Sequence, residues 1–120
     1  MAANIGPKRL VVGAHYGLRD WLAQRVTAVV MAAYLIVFGT YAAFVVPPGY
    51  EAWAGLFAPL WMKVATLVVI VALVYHAWIG MREIFMDYVK PTWIRLSAYV
   101  LTILWLAACA VWSVQILWRV

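Results

Sequence analysis

VATLVVIVALVYHAWIGM, residues 64–81, decides the fold. It carries no charge from end to end, and it holds one histidine, His76. A helix needs about 20 mostly apolar residues to cross the ~30 Å hydrocarbon core of a bilayer. This run meets that need if the helix continues to about Met86. Two longer charge-free runs flank it, one from Val26 to Tyr50 and one from Leu96 to Trp118. Pro47-Pro48-Gly49 ends the first helix near Val46. The expected fold is an all-α membrane protein, one domain over residues 1–120, with three transmembrane helices at about 24–46, 63–87 and 94–118.

Composition agrees. The chain is 69% hydrophobic and only 11% charged, with a mean hydropathy of +0.97. A soluble domain carries roughly 25% charged residues. The net charge of +5 would raise the question of nucleic acid in a soluble protein. Here the basic residues flank the apolar runs, so the charge speaks of topology and membrane lipid, and no nucleic-acid partner is expected. The single cysteine, Cys109, excludes a disulfide framework or a Cys-rich metal site within the chain and reads as a small buried hydrophobe. The stretch from Met1 to Asp20 contains no long apolar segment and no small-residue cleavage site, so no secretory signal is expected, and a bacterial inner membrane is the default location.

Lysine and arginine set the orientation. Lys8, Arg9, Arg19 and Arg25 precede the first span, and Arg82, Lys90 and Arg95 lie between the second and third. These seven of nine basic residues share one side of the membrane. The N-terminus is therefore expected in the cytoplasm and the C-terminus in the periplasm. The first loop, residues 47–61, is apolar for a loop, with Trp53, Leu56, Phe57, Leu60 and Trp61 at helical spacing. It reads either as a short interfacial helix anchored by tryptophan or as a merely hydrophobic loop.

A polar side chain inside a membrane span costs free energy, so His76 marks either a cofactor ligand or an interhelical hydrogen bond. Ala72, His76 and Gly80 lie on one helical face. Small residues above and below an imidazole make a shallow strip, suited to a planar macrocycle or to a close helix contact. From Asp87 back to His76 is ~16 Å of helix, which is near mid-membrane. If His76 ligates a haem, the propionates of that haem fall near the start of the first span. Arg25 sits there with Arg19 nearby, and arginine grips carboxylates well. A snorkelling, topology-setting charge is the other reading of Arg25. His15, the second histidine, lies too far outside the first span to be the opposite axial ligand, so that ligand has to come from another chain.

Asp87-Tyr88-Val89-Lys90-Pro91 closes the second helix. A tyrosine here is ordinarily an interfacial anchor. Its hydroxyl is also a hydrogen-bond donor for a quinone oxygen, with the adjacent carboxylate able to relay protons.

Over HAWIGM and the following DYVKP, both within positions 76–91, the chain resembles the hydrophobic membrane anchor subunit of bacterial succinate dehydrogenase, respiratory complex II. YEAWAGLFAPLWMKVATL (residues 50–67) and RDWLAQRVTA (residues 19–28) extend the likeness. The last span matches only in being apolar. The resemblance implies a four-subunit complex of the tricarboxylic acid cycle and electron transport. A flavoprotein subunit oxidises succinate, and an iron-sulfur subunit carries electrons to the membrane. This chain and a cytochrome b subunit sandwich haem b and form the ubiquinone site.

By position, the resemblance makes His76 an axial ligand of the haem iron and Arg25 the holder of a propionate, while Arg19 is a cofactor-binding candidate by its nearness to Arg25 alone. Tyr88 and Asp87 lie at the quinone, and the chain itself holds no catalytic residue. Two positions depart from the pattern. Arg19 stands where the enterobacterial form has a histidine, and Arg82-Glu83 is an unexpected charge pair, read as solvated or as a contact to the other subunits. A haem-free structural anchor and the anchor of a related fumarate reductase are the alternatives. A transporter is disfavoured because all four acids lie outside the charge-free runs.

Overall fold

A computed structural model describes residues 12–120, with side chains from Gly17 onward. Lys8 and Arg9 lie outside the described residues, and the side chain of His15 lies outside the described side chains. Four helices follow in chain order: α1 (Val12–Phe44), α2 (Tyr50–Phe57), α3 (Leu60–Tyr88) and α4 (Thr92–Arg119). Three stretches are long and apolar enough to span a membrane: Gly17–Phe44, Leu60–Tyr88 and Thr92–Arg119. The protein is all-α among its described residues.

α1 starts well before position 24. Apolarity sets only the part of a helix that lies in lipid. Between Val12 and the first apolar run no proline interrupts, and Leu18, Arg19, Leu22 and Ala23 are good helix formers, so the helix carries on beyond the bilayer. Pro47 and Pro48 then end helical pairing, and Gly49 turns the chain with a φ of 120°, a conformation that glycine adopts without the Cβ penalty. Of the two readings of the first loop, the helical one holds. α2 folds back onto α1, where the Phe38 ring lies 6.1 Å from Trp53 and 5.4 Å from Phe57. Tyr34 stacks beneath Phe38 at 5.3 Å. Pro59 and Pro91 occupy the N-caps of α3 and α4, just ahead of the first orphan N–H groups, where a proline costs no helical hydrogen bond.

α3 is the central helix, packed on α1 along one side and on α4 along the other. Cross-helix pairs fix both as antiparallel. Asp20 meets Arg82, Thr27 meets His76 and Tyr34 meets Thr66 between α1 and α3. Between α3 and α4, Tyr99 touches Trp78 and Phe85, while Lys63 reaches Trp118 at the other end. The starts of α1 and α4 and the end of α3 therefore share one end of the bundle.

The interior is thin. Met62, Ala72, Ile79 and Leu117 are the buried hydrophobic residues among those described. Leu35, Ile36, Val37, Leu101 and Trp105 are each about two-thirds exposed or more. In water such a surface would aggregate. In a bilayer the lipid tails are as apolar as leucine, so helix association rests on close packing and interhelical hydrogen bonds instead. The 2.8 Å bond between the Tyr34 and Thr66 hydroxyls is one such bond. Cys109 corrects the sequence reading, since it is free and exposed on the outer face of α4. Inferring burial from an apolar neighbourhood fails where the apolar side faces outward.

Candidate functional site between α1 and α3

The face of α1 that meets α3 carries Asp20, Gln24, Thr27 and Tyr34, at successive helical spacings of four, three and seven. Opposite stand Arg82, Gly80, His76 and Thr66. His76 is half-buried, and its Nδ1 lies 3.0 Å from Thr27 Oγ1. Thr27 Oγ1 also lies 2.6 Å from the carbonyl oxygen of Ala23 and 3.2 Å from that of Gln24. Hydroxyl-to-backbone bonding one turn back is the usual way a threonine satisfies itself inside a helix. The interhelical hydrogen bond expected of a histidine in a span is therefore present. It uses one ring nitrogen only, and among the described residues Nε2 makes no hydrogen bond.

The strip of small residues is partly closed. A Cβ on Gly80 would stand 3.8 Å from Gln24 Nε2, so α1 lies over that end of the face. Ala72 is buried at the other end. The glycine lets α1 approach, as small residues do at membrane helix contacts. An apolar groove of about 420 Å³ lies instead on the opposite side of α3, between Val74, Tyr75, Trp78, Ile103, Leu106 and Ala110. It has no histidine and is a helix seam remote from the polar face.

Arg82 adds a contact to the two readings of the Arg82-Glu83 pair. It pairs with Asp20 of α1 rather than with its neighbour Glu83, and the pair stays partly exposed. Consecutive residues on a helix point about 100° apart, so Arg82 and Glu83 face different surroundings. Arg82 Nε and Gln24 Oε1 are both buried without a hydrogen-bond partner among the described residues.

The remaining predicted residues are not brought into contact with His76. Arg25 and Arg19 are exposed and flank the α3-facing side of α1 from opposite sides, by a quarter turn or more each. The Arg25 guanidinium lies 5.3 Å from the Trp21 ring centre, where a cation–π attraction steadies it. Asp87 and Tyr88 are exposed on the last turn of α3, and Tyr88 keeps 79% of its surface. Asp87 lies on the helical face of His76, with Tyr88 a third of a turn round. Sequence reasoning missed Asp20, Gln24 and Thr27. The signal available for them was their helical spacing at the start of the first span.

The donor set limits what His76 could hold. No group of three or more His, Cys, Asp or Glu side chains converges among the described residues. A bare transition-metal ion needs about four protein ligands. A haem brings its own equatorial nitrogens and asks the protein only for axial ligands, so a single half-buried imidazole with an unengaged nitrogen fits a haem better than an ion.

Fold and site together define a class: a three-span membrane subunit whose central helix offers one histidine beside a polar helix seam. The family model described as succinate dehydrogenase/fumarate reductase transmembrane subunit matches residues 1–116. The chain is also 43% identical to the succinate dehydrogenase hydrophobic membrane anchor subunit of Coxiella burnetii, over 85% of this chain and 89% of that one. The chain belongs to the succinate dehydrogenase/fumarate reductase transmembrane subunit family. It is a multi-pass protein of the bacterial inner membrane and a subunit of that enzyme that is not catalytic alone.

Proposed function

We propose that this chain anchors a bacterial succinate dehydrogenase, binds haem b jointly with a cytochrome b partner subunit, and helps form the ubiquinone reduction site. The observation that carries the haem reading is the divided imidazole of His76, with Nδ1 engaged by Thr27 and Nε2 making no hydrogen bond among the described residues. Haem b, when bound, supplies a one-electron store inside the membrane. His76 would hold the iron through one ring nitrogen, and a partner subunit would supply a further ligand. Arg25 and Arg19, both exposed at the start of the first span, would meet the propionate carboxylates at the cytoplasmic end. Tyr88 donates a hydrogen bond to the quinone oxygen, and Asp87 passes protons from the cytoplasm. Both are exposed on the last turn of α3, where other subunits would complete the site.

Electrons arrive from succinate through the flavoprotein and iron-sulfur subunits, which dock on the cytoplasmic end. The family description covers enzymes named for either direction, and the name of the Coxiella relative favours succinate oxidation. The test is affinity purification through a tag on this chain in mild detergent. A flavoprotein, an iron-sulfur protein and a cytochrome b are expected in equal amounts, with succinate:ubiquinone turnover. The chain eluting alone, or with proteins that do not oxidise succinate, would overturn the proposal.

A further inference from the structure

The hydroxyl of Thr27 has one proton and three polar neighbours, the carbonyl oxygens of Ala23 and Gln24 and Nδ1 of His76. The shortest contact, 2.6 Å, is to the carbonyl oxygen of Ala23, which can only accept. A threonine proton donated along that bond leaves only lone pairs of Oγ1 toward His76. The 3.0 Å contact to His76 Nδ1 is then made by a proton on the histidine, donated to a lone pair of Thr27 Oγ1. A neutral imidazole protonated at Nδ1 carries its lone pair on Nε2. The hydrogen bond made by one ring nitrogen thus sets what the other nitrogen can do.

We propose that Thr27 is a positioning residue that holds His76 in the Nδ1–H tautomer, so that Nε2 is the ligating atom and is aimed by α1. The inference rests on the haem reading of His76 and adds the residue that sets the ligand's proton, orientation and basicity. Buried ligand histidines generally donate their second N–H to an acceptor, and losing that acceptor typically loosens the metal group by about 10–100-fold. The same bond fixes the sign of a redox effect. Accepting the Nδ1 proton makes the imidazole a stronger donor, which favours the oxidised iron and lowers the midpoint potential. Removing the acceptor raises it.

The experiment uses the intact complex, purified from membranes, with Thr27→Val, Thr27→Ala and Thr27→Ser beside wild type and His76→Ala. Haem content, midpoint potential and the low-spin electron paramagnetic resonance signal are read in each. Valine keeps the shape of threonine without the hydroxyl. Alanine removes the hydroxyl without new bulk, should valine block assembly. Serine keeps the hydroxyl. The expected result is a higher potential, a shifted low-spin signal and haem lost about tenfold more readily in the valine or alanine variant, with wild-type values restored by serine. If His76→Ala changes the haem while all Thr27 variants keep the wild-type potential and signal, the positioning role is wrong and the ligand assignment stands. If His76→Ala leaves the haem unchanged, both are wrong.

Discussion

Tyr88→Phe is expected to lower succinate:ubiquinone turnover by about tenfold while leaving succinate oxidation by a soluble dye unchanged. The effect comes from differential binding. A hydrogen bond between neutral groups contributes about 0.5–1.5 kcal/mol net, and one to a charged group about 1.5–3 kcal/mol. The quinone oxygen gains negative charge as it is reduced, so the tyrosine bond strengthens along the reaction. Only that gain, about 1–2 kcal/mol, accelerates the step. At about 1.4 kcal/mol per factor of ten, this is roughly a 5–30-fold effect. The dye reaction is the control because it takes electrons before they reach the membrane. Equal losses in both reactions would mean failed assembly. No loss in either would return Tyr88 to the role of an interfacial anchor.

The second large effect concerns the Asp20–Arg82 bridge. Arg82→Ala is expected to destabilise the pairing of α1 with α3, and Asp20→Ala to do so more, because it strands a guanidinium whose Nε is already buried without a partner among the described residues. Breaking a fully buried pair costs about 3–5 kcal/mol, and an exposed pair contributes at most about 1 kcal/mol. With the two side chains 29% and 32% exposed, the bridge lies between these limits. A cost of about 1–3 kcal/mol follows, seen as a shorter thermal half-life of the complex in detergent. The exchange Asp20→Arg with Arg82→Asp should recover most of it. An exchange variant no better than the single variants would mean that the bridge is incidental to the packing.

The lipid-facing logic of the fold was legible because it lives in runs of like residues. Three charge-free stretches marked three spans, and Pro47-Pro48-Gly49 marked the first stop. His76 was legible as a candidate because a lone polar residue is conspicuous in such a run. Its partner was not. Thr27 is an ordinary residue at the start of an apolar segment, and only the antiparallel register of α1 on α3 brings it to the imidazole. The same register explains Arg82. Its neighbour in sequence suggested a local pair, whereas the helix turned it toward Asp20. Burial was the least legible property. In a membrane subunit hydrophobic residues point both in and out, so Cys109 and Ala72 have similar neighbours and opposite exposure.

The central claim is that His76 ligates a haem shared with a partner, and a dithionite-reduced minus oxidised spectrum of the purified complex tests it most directly. Wild type is compared with His76→Ala at equal protein. A b-type haem signal is expected in wild type, and its loss or clear alteration in the variant. No haem signal in wild type, or one that His76→Ala leaves unchanged, would contradict the claim and leave His76 as the histidine of a helix–helix hydrogen bond in a structural anchor.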